Sequence, residues 1–324
     1  MLSNSSPVDI LSLSSLEIQS KYIYPSFIFG TLLYLIIVFF NLLVLLTILV
    51  SKKLHKPMFI LLLNLPISDI LGSTALFPHL LFSIITENRH IPTKACLTQA
   101  LFIHIYGTGN LMILSAMAFD RYVAICRPLN YHSILTSKNV IRIIVLVWFI
   151  NVSMIFTLFL AFMQSNICRT EVVDLFCNYP SVLKVICDDL TWNNYYGIFN
   201  SMIILGCPLM IILYTYVQIL VTCIKTNNPD CRRKALQTCC THVLVFLVLQ
   251  INTNATYILH RSQKMTSLLS AAELVLLILE VKSCSMYCLS FFLRYVRCAV
   301  QYVNDIFSLL LCWVKLLHVQ VIML

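Results

Sequence analysis

Residues Leu97 to Phe119 form a long apolar run that ends in an acid–base pair, Asp120-Arg121. A helix needs about 20 apolar residues to cross the hydrocarbon of a bilayer. Backbone polar groups in lipid must be satisfied within the segment, which a helix achieves and an open strand does not. The run therefore predicts a spanning helix, and similar runs recur along the chain. Composition excludes a soluble domain: of 324 residues 60% are hydrophobic and 11% charged, with mean hydropathy +0.89. An ordinary soluble domain is about a quarter charged. The expected fold is an all-α membrane protein, a seven-helix bundle with spans at 26–50, 57–84, 97–122, 143–163, 195–222, 235–259 and 267–289. Residues 1–25 then form an N-terminal segment, and 291–324 a short helix and an apolar tail.

Charge sets the orientation. With the N-terminus outside, thirteen basic residues fall on inner segments and seven on outer ones, as the positive-inside rule requires. The basic residues sit at loop ends and not on one soluble face, so the net charge of +9 calls for no nucleic acid. The predicted location is a membrane crossed many times, with the sequon at Asn4 facing outward. The sequons at Asn151 and Asn254 lie at membrane depth and are set aside.

Polar groups inside the spans are expensive and should face partner helices or a cavity. Asn41 in the first span and Asp69 in the second are such groups, and Asp69 could be satisfied by Asn41 and Ser115. His104, Gly107, Thr108 and Asn110 form a polar, small-residue stripe on the third span, and Gln250, Asn252, Thr253, Asn254 and Tyr257 make the sixth unusually polar. Cys96 opens the third span twenty-five residues before Arg121, so the two mark opposite membrane faces. Cys168, Cys177 and Cys187 lie in the long outer segment, and four cysteines allow three pairings. Their spacing does not match a zinc knuckle. No phosphate loop or nucleophile motif is present, so neither an enzyme nor a cofactor is expected.

An isolated Arg after an apolar helix usually serves as a basic stop at the inner face. Here Asp120 precedes it within Met117–Cys126, MAFDRYVAIC, followed by Arg127-Pro128-Leu129. This stretch closely resembles the end of the third transmembrane helix of odorant receptors, a branch of the rhodopsin-like G-protein-coupled receptors. The basic loop Ser51–Phe59, the outer pattern from Cys168 to Asp188 and the entry Lys234–His242 are similar to the same family. The resemblance covers about Ser26 to Leu259. It implies a small odorant bound by His104, Thr108, Asn200, Ser201, Gln250, Asn254 and Tyr257. It also implies coupling to a heterotrimeric G protein of the stimulatory, olfactory type through Asp120, Arg121, Tyr122 and Tyr216, with Arg121 held by Asp120 at rest. A sodium-linked switch at Asp69, with Asn41 bonded toward the second helix, and disulfides Cys96–Cys177 and Cys168–Cys187 are implied in the same way.

After His260 the sequence departs from the family. The family's Asn-Pro-x-x-Tyr is missing, and no proline follows Pro229. The best fit takes Ser267 to Leu289 as an atypical seventh helix, with Ser283-Cys284 in place of Asn-Pro and Tyr287 in place of the tyrosine. Two other readings stand beside the receptor: a receptor-derived chain that does not signal, and a small transporter or channel. The transporter would need charges lining a path, and before the seventh span only Asp69, Asp120 and Arg121 qualify.

Overall fold

The structure is a computed structural model. It describes residues 9–13, 20–51, 55–172, 174–187 and 191–225, and residues 243, 246, 247, 249–251 and 253 of the sixth span. The expected seventh span, the tail, Asn4, Asn254 and Tyr257 lie outside the described residues.

Five helical spans among the described residues are long and apolar enough to cross a membrane. Helix α1 covers Ser20–Val50; α2 (Pro57–Leu62) and α3 (Asn64–Thr86) together make the second span. The turn at Leu63 separates them because Pro66 donates no hydrogen bond to the preceding turn and its ring crowds the carbonyl four residues back. Helix α4 runs over Thr93–Cys126, α5 over Tyr131–Ile134, α6 over Ser137–Gln164, α7 over Tyr179–Leu183 and α8 over Thr191–Lys225. The spanning helices extend past the apolar runs that announced them by up to about two turns. Helix hydrogen bonding continues into the headgroup region, where polar side chains are tolerated.

Helix α4 is the axis of the bundle, packing against α2, α3, α6 and α8, while α1 packs against α3. The inner core joins Leu62, Leu114, Met117, Val123, Ile212 and Tyr216 to Phe246 and Leu249 of the sixth span. Two glycines permit the closest approaches. A Cβ on Gly72 would lie 2.5 Å from the ring of Tyr106, and one on Gly109 would lie 2.8 Å from Trp148. Trp148 in turn donates from Nε1 to Asn64 Oδ1 at 3.1 Å, so α6 is tied to α3 across the face that Gly109 leaves open.

The outer end is not only loop. Strand β1 (Ile10–Leu13) lies between β2 (His90–Pro92), to which it is antiparallel, and β3 (Glu171–Val172), to which it is parallel. The period of two is visible in its burial: Ile10 is 57% exposed, whereas Leu11 and Leu13 are 1% and 0% exposed. Bonds from Ser12 N to Thr170 O (2.7 Å) and Leu13 N to Arg89 O (2.9 Å) fasten the N-terminal segment to both outer loops. Four residues, Ile-Leu-Ser-Leu, inside a Ser-rich stretch are enough for a strand here because two other strands supply the hydrogen bonds and the buried face.

The glycine contacts lead to a direct comparison. Gly72→Ala is expected to destabilise the bundle by about 1–3 kcal/mol, the usual cost of overpacking. Gly206→Ala on α8, whose Cβ would meet nothing within 4 Å, is expected to be neutral or stabilising because alanine favours a helix. Thermal unfolding of the solubilised chain followed by intrinsic fluorescence distinguishes the two. Equal effects would mean that Tyr106 does not press on Gly72.

Candidate functional site

The outer half of the bundle is roofed by the segment between α6 and α8. Disulfide Cys96–Cys177 ties it to the start of α4, and Cys168–Cys187 closes it on itself, with Cα separations of 5.3 and 5.7 Å. An isolated bridge pairs Ile167 with Ile186. Helix α7 is set by a capping box: Asn178 Oδ1 accepts from Ser181 N at 2.8 Å, and Ser181 Oγ accepts from Asn178 N at 3.1 Å. The cap fixes Tyr179 pointing down into the bundle. Its ring centroid lies 5.6 Å from His104, 5.7 Å from Phe159 and 5.1 Å from Phe162.

Gln99 holds the roof in register. Its Nε2 donates to Ala75 O of α3 at 3.0 Å, and its Oε1 accepts from Cys177 N at 2.9 Å. One buried amide thus joins the second span, the third span and the outer loop beside the disulfide. Sequence reasoning missed this residue. Its position one helical turn after Cys96 is the only sequence signal that points to it.

The candidate ligand residues divide on inspection. His104 is packed against Tyr179 beneath the roof. Thr108 is consumed internally: its hydroxyl lies 2.7 Å from His104 O and 2.6 Å from Asn151 Oδ1, both acceptors. Asn151, set aside above as a sequon, is fully buried and also donates to Ile105 O at 3.0 Å, so it pins α6 to α4. Asn200 is buried and donates to Met154 O at 3.3 Å; its Oδ1 has no hydrogen-bond partner among the described residues. Ser201 beside it is half-buried. Gln250 is buried and donates to Leu205 O of α8 at 3.3 Å. The polar stripe on α4 is therefore not one surface, because Thr108 turns toward α6 while Asn110 turns toward α3.

At mid-depth Asn110 Nδ2 donates to Asp69 Oδ1 at 3.1 Å, with both residues fully buried. The proposed satisfaction of Asp69 by Asn41 and Ser115 is corrected. Asn41 does face the bundle, but its amide donates to Ile37 O of its own helix at 3.0 Å, and Ser115 donates to Met112 O at 2.7 Å. A sodium ion requires oxygen ligands. Asp69 offers two carboxylate oxygens, one of which already accepts the Asn110 amide.

At the inner end Asp120 is buried, and its Oδ1 accepts from the Tyr131 hydroxyl of α5 at 3.1 Å. Arg121 remains close enough to act on the Asp120 carboxylate, and the Tyr131 bond is added to that interaction. Burial and the Asp120 carboxylate push the Tyr131 phenol up to about 12, against the opposing pull of Arg121. The hydroxyl therefore keeps its proton, and so its capacity to donate, across the physiological range. Tyr122 stacks obliquely on Tyr214 at 5.9 Å, with the Arg127 guanidinium 5.9 Å from its ring centre. Tyr216 is buried in the inner core. Thr222 donates to Cys126 Sγ at 3.2 Å and Cys126 donates to Gln218 O at 3.6 Å, closing the inner ends of α4 and α8 together. Among the described residues no group of three or more His, Cys, Asp or Glu could hold a metal ion.

Comparison with known proteins decides the family. The model of the olfactory receptor family matches residues 30–281. The chain belongs to the olfactory receptor family. It is 34% identical over 238 residues to human (Homo sapiens) olfactory receptor 4K3, covering 72% of each chain. It is 29% identical over 256 residues to mouse (Mus musculus) olfactory receptor 8G17, covering 79% of this chain and 84% of that one. Squid rhodopsin has the same fold, with TM-score 0.67 at 18% identity over 89% of this receptor and 82% of that chain. The receptor is accordingly a multi-pass plasma-membrane protein with the rhodopsin-type seven-helix architecture.

The clamp at Gln99 is testable. Gln99→Met keeps the volume but strips a buried acceptor from Cys177 N and a donor from Ala75 O. Each buried polar group left alone costs about 1–3 kcal/mol, so surface display should fall severalfold, as for Cys96→Ser. Flow cytometry of a tagged receptor measures this; undiminished display would show that the disulfide alone seats the loop.

Proposed function

We propose that the receptor binds a small, partly polar odorant in its outer half and passes the signal to a stimulatory heterotrimeric G protein at its inner end, with the N-terminus outside. The observation that supports this most directly is the buried Asp120–Tyr131 bond beside Arg121. A carboxylate, a phenol and a guanidinium meet where α4 reaches the cytoplasm, and the buried carboxylate's hydrogen bond comes from a loop helix that a partner can move.

Binding lies beneath the roof, among α4, α8 and the sixth helix. Tyr179, Phe159 and Phe162 supply apolar surface, and His104, Asn200, Ser201, Gln250, Asn254 and Tyr257 supply polar contacts. The Asn200 Oδ1 acceptor suits a ligand that carries a hydrogen-bond donor. Thr108 acts through Asn151 as a helix tie and not as a ligand contact. An odorant drives signalling only by binding one arrangement of the bundle better than another. The outer ends of α3 and α4 are held by Gln99 and Cys96, and the inner ends of α4 and α8 by Cys126 and Thr222. The relative movement therefore falls to the sixth helix against α4 and α8, past Tyr216, while Asp69–Asn110 keeps α3 fixed to α4. Arg121 and Tyr122 then meet the G protein, which exchanges GDP for GTP.

Arg121→Ala is expected to abolish odorant-evoked cyclic AMP while leaving surface display within about twofold, because Arg121 stands at a helix end and not in the core. An unchanged response would remove Arg121 from the coupling site. The latch is tested by a double-mutant cycle. Tyr131→Phe and Asp120→Asn should shift basal cyclic AMP in the same direction, and the double variant should shift it no further than the larger single change. Additive shifts would mean that the two side chains act separately.

A further inference from the structure

Helix α6 enters the bilayer with two cations on one line. Lys138 and Arg142 are both exposed, four residues apart, about 6 Å along the axis. Continuing that line at helical spacing come Val145, Phe149, Val152 and Phe156, all exposed, with Val145 at 62% and Phe149 at 69%. Among the described residues neither cation has an ion-pair or hydrogen-bond partner. The opposite side of the helix carries the packing, with Val140, Asn151 and Ile155 buried and Trp148 bonded to Asn64. The positive-inside tendency accounts for basic residues in the loop; it does not require that they align with a lipid-facing apolar stripe or stand free.

We infer that this face of α6 is a binding site for one anionic phospholipid. The headgroup phosphate is held between Lys138 and Arg142, and an acyl chain lies along Val145, Phe149 and Phe156. The cations and the stripe match the two halves of such a lipid: guanidinium and ammonium recognise phosphate, and the exposed side chains below accept only hydrocarbon. The occupant is a lipid of the inner leaflet, because the orientation proposed above places the start of α6 at the cytoplasmic face, where anionic lipids concentrate. The site touches neither the Asp120–Tyr131 latch nor the roof, so it stands or falls independently of odorant binding.

The test uses the full receptor in nanodiscs of phosphatidylcholine alone or with phosphatidylserine or a phosphoinositide, with retained lipids counted by native mass spectrometry. The unmodified receptor should retain one anionic lipid in preference to phosphatidylcholine, and the preference should weaken at high salt. K138Q/R142Q should lower it by roughly tenfold, as expected for two surface cations. K138R/R142K should keep it, and K94Q/R169Q, which removes the same charge at the outer face, should leave it intact. Loss of bound lipid on adding inorganic phosphate alone would reduce the site to an anion site without lipid specificity and overturn the proposal. So would equal retention of both lipid classes by the unmodified receptor, or an equal loss in K94Q/R169Q. Because the unmodified receptor must itself show the preference, poor expression of a variant leaves the proposal refutable.

Discussion

A polar side chain in a bilayer has to find its partner inside the protein, since neither water nor lipid supplies one. That requirement makes α4 the axis of this receptor. Along its length Gln99 reaches α3 and the outer loop, Thr108 reaches Asn151 of α6, Asn110 reaches Asp69 of α3, and Asp120 reaches Tyr131 of α5. Together these layers join α4 to α3 twice, to the outer loop, to α6 and to α5. Interhelical hydrogen bonds of this kind average well under about 1 kcal/mol each in membranes, so their value lies in fixing register and rotation, beside the close packing that Gly72 and Gly109 permit.

The two ends of the bundle are built for opposite behaviour. The outer end is over-determined: two disulfides, a three-stranded sheet, a capped one-turn helix and the Gln99 clamp all converge on the roof. Such a roof presents Tyr179 and His104 in one arrangement, and a preorganised pocket spends less binding energy on ordering itself. At the inner end an apolar core and the Thr222–Cys126–Gln218 chain hold the helices, and the contacts of Tyr131 with Asp120 and of Tyr122 with Tyr214 are single ones. Under the proposed function, these single contacts are the ones that exchange when the G protein docks.

Much of this was legible in the residues. Apolar length alone announces the five spanning helices described here, and the MAFDRYVAIC stretch announces the family. The two disulfides followed from the resemblance, since four cysteines by themselves leave three pairings open. What escaped was pairing over distance. Nothing local says that Asn110 and not Asn41 meets Asp69, or that Asn151 is a structural tie and not a stray sequon. Tyr131 stands eleven residues from Asp120 across a proline turn, so the bond between them exists only after α5 folds back. Strand β1 was hidden for a related reason: four residues carry little periodicity, and their partners lie about eighty and a hundred and sixty positions away. After His260 the sequence departs from its family, and the described residues do not extend there.

The proposed function requires one orientation, with the sheet and roof outside and the Asp120–Tyr131 latch in the cytoplasm. The most direct measurement is differential staining of cells that express the receptor with one epitope ahead of residue 9 and another inserted at the exposed turn between Leu135 and Ser137. With that orientation the first epitope is stained on intact cells and the second only after permeabilisation. Staining of the second on intact cells, or of both under the same condition, would place the latch and the roof on the wrong sides of the membrane and contradict it.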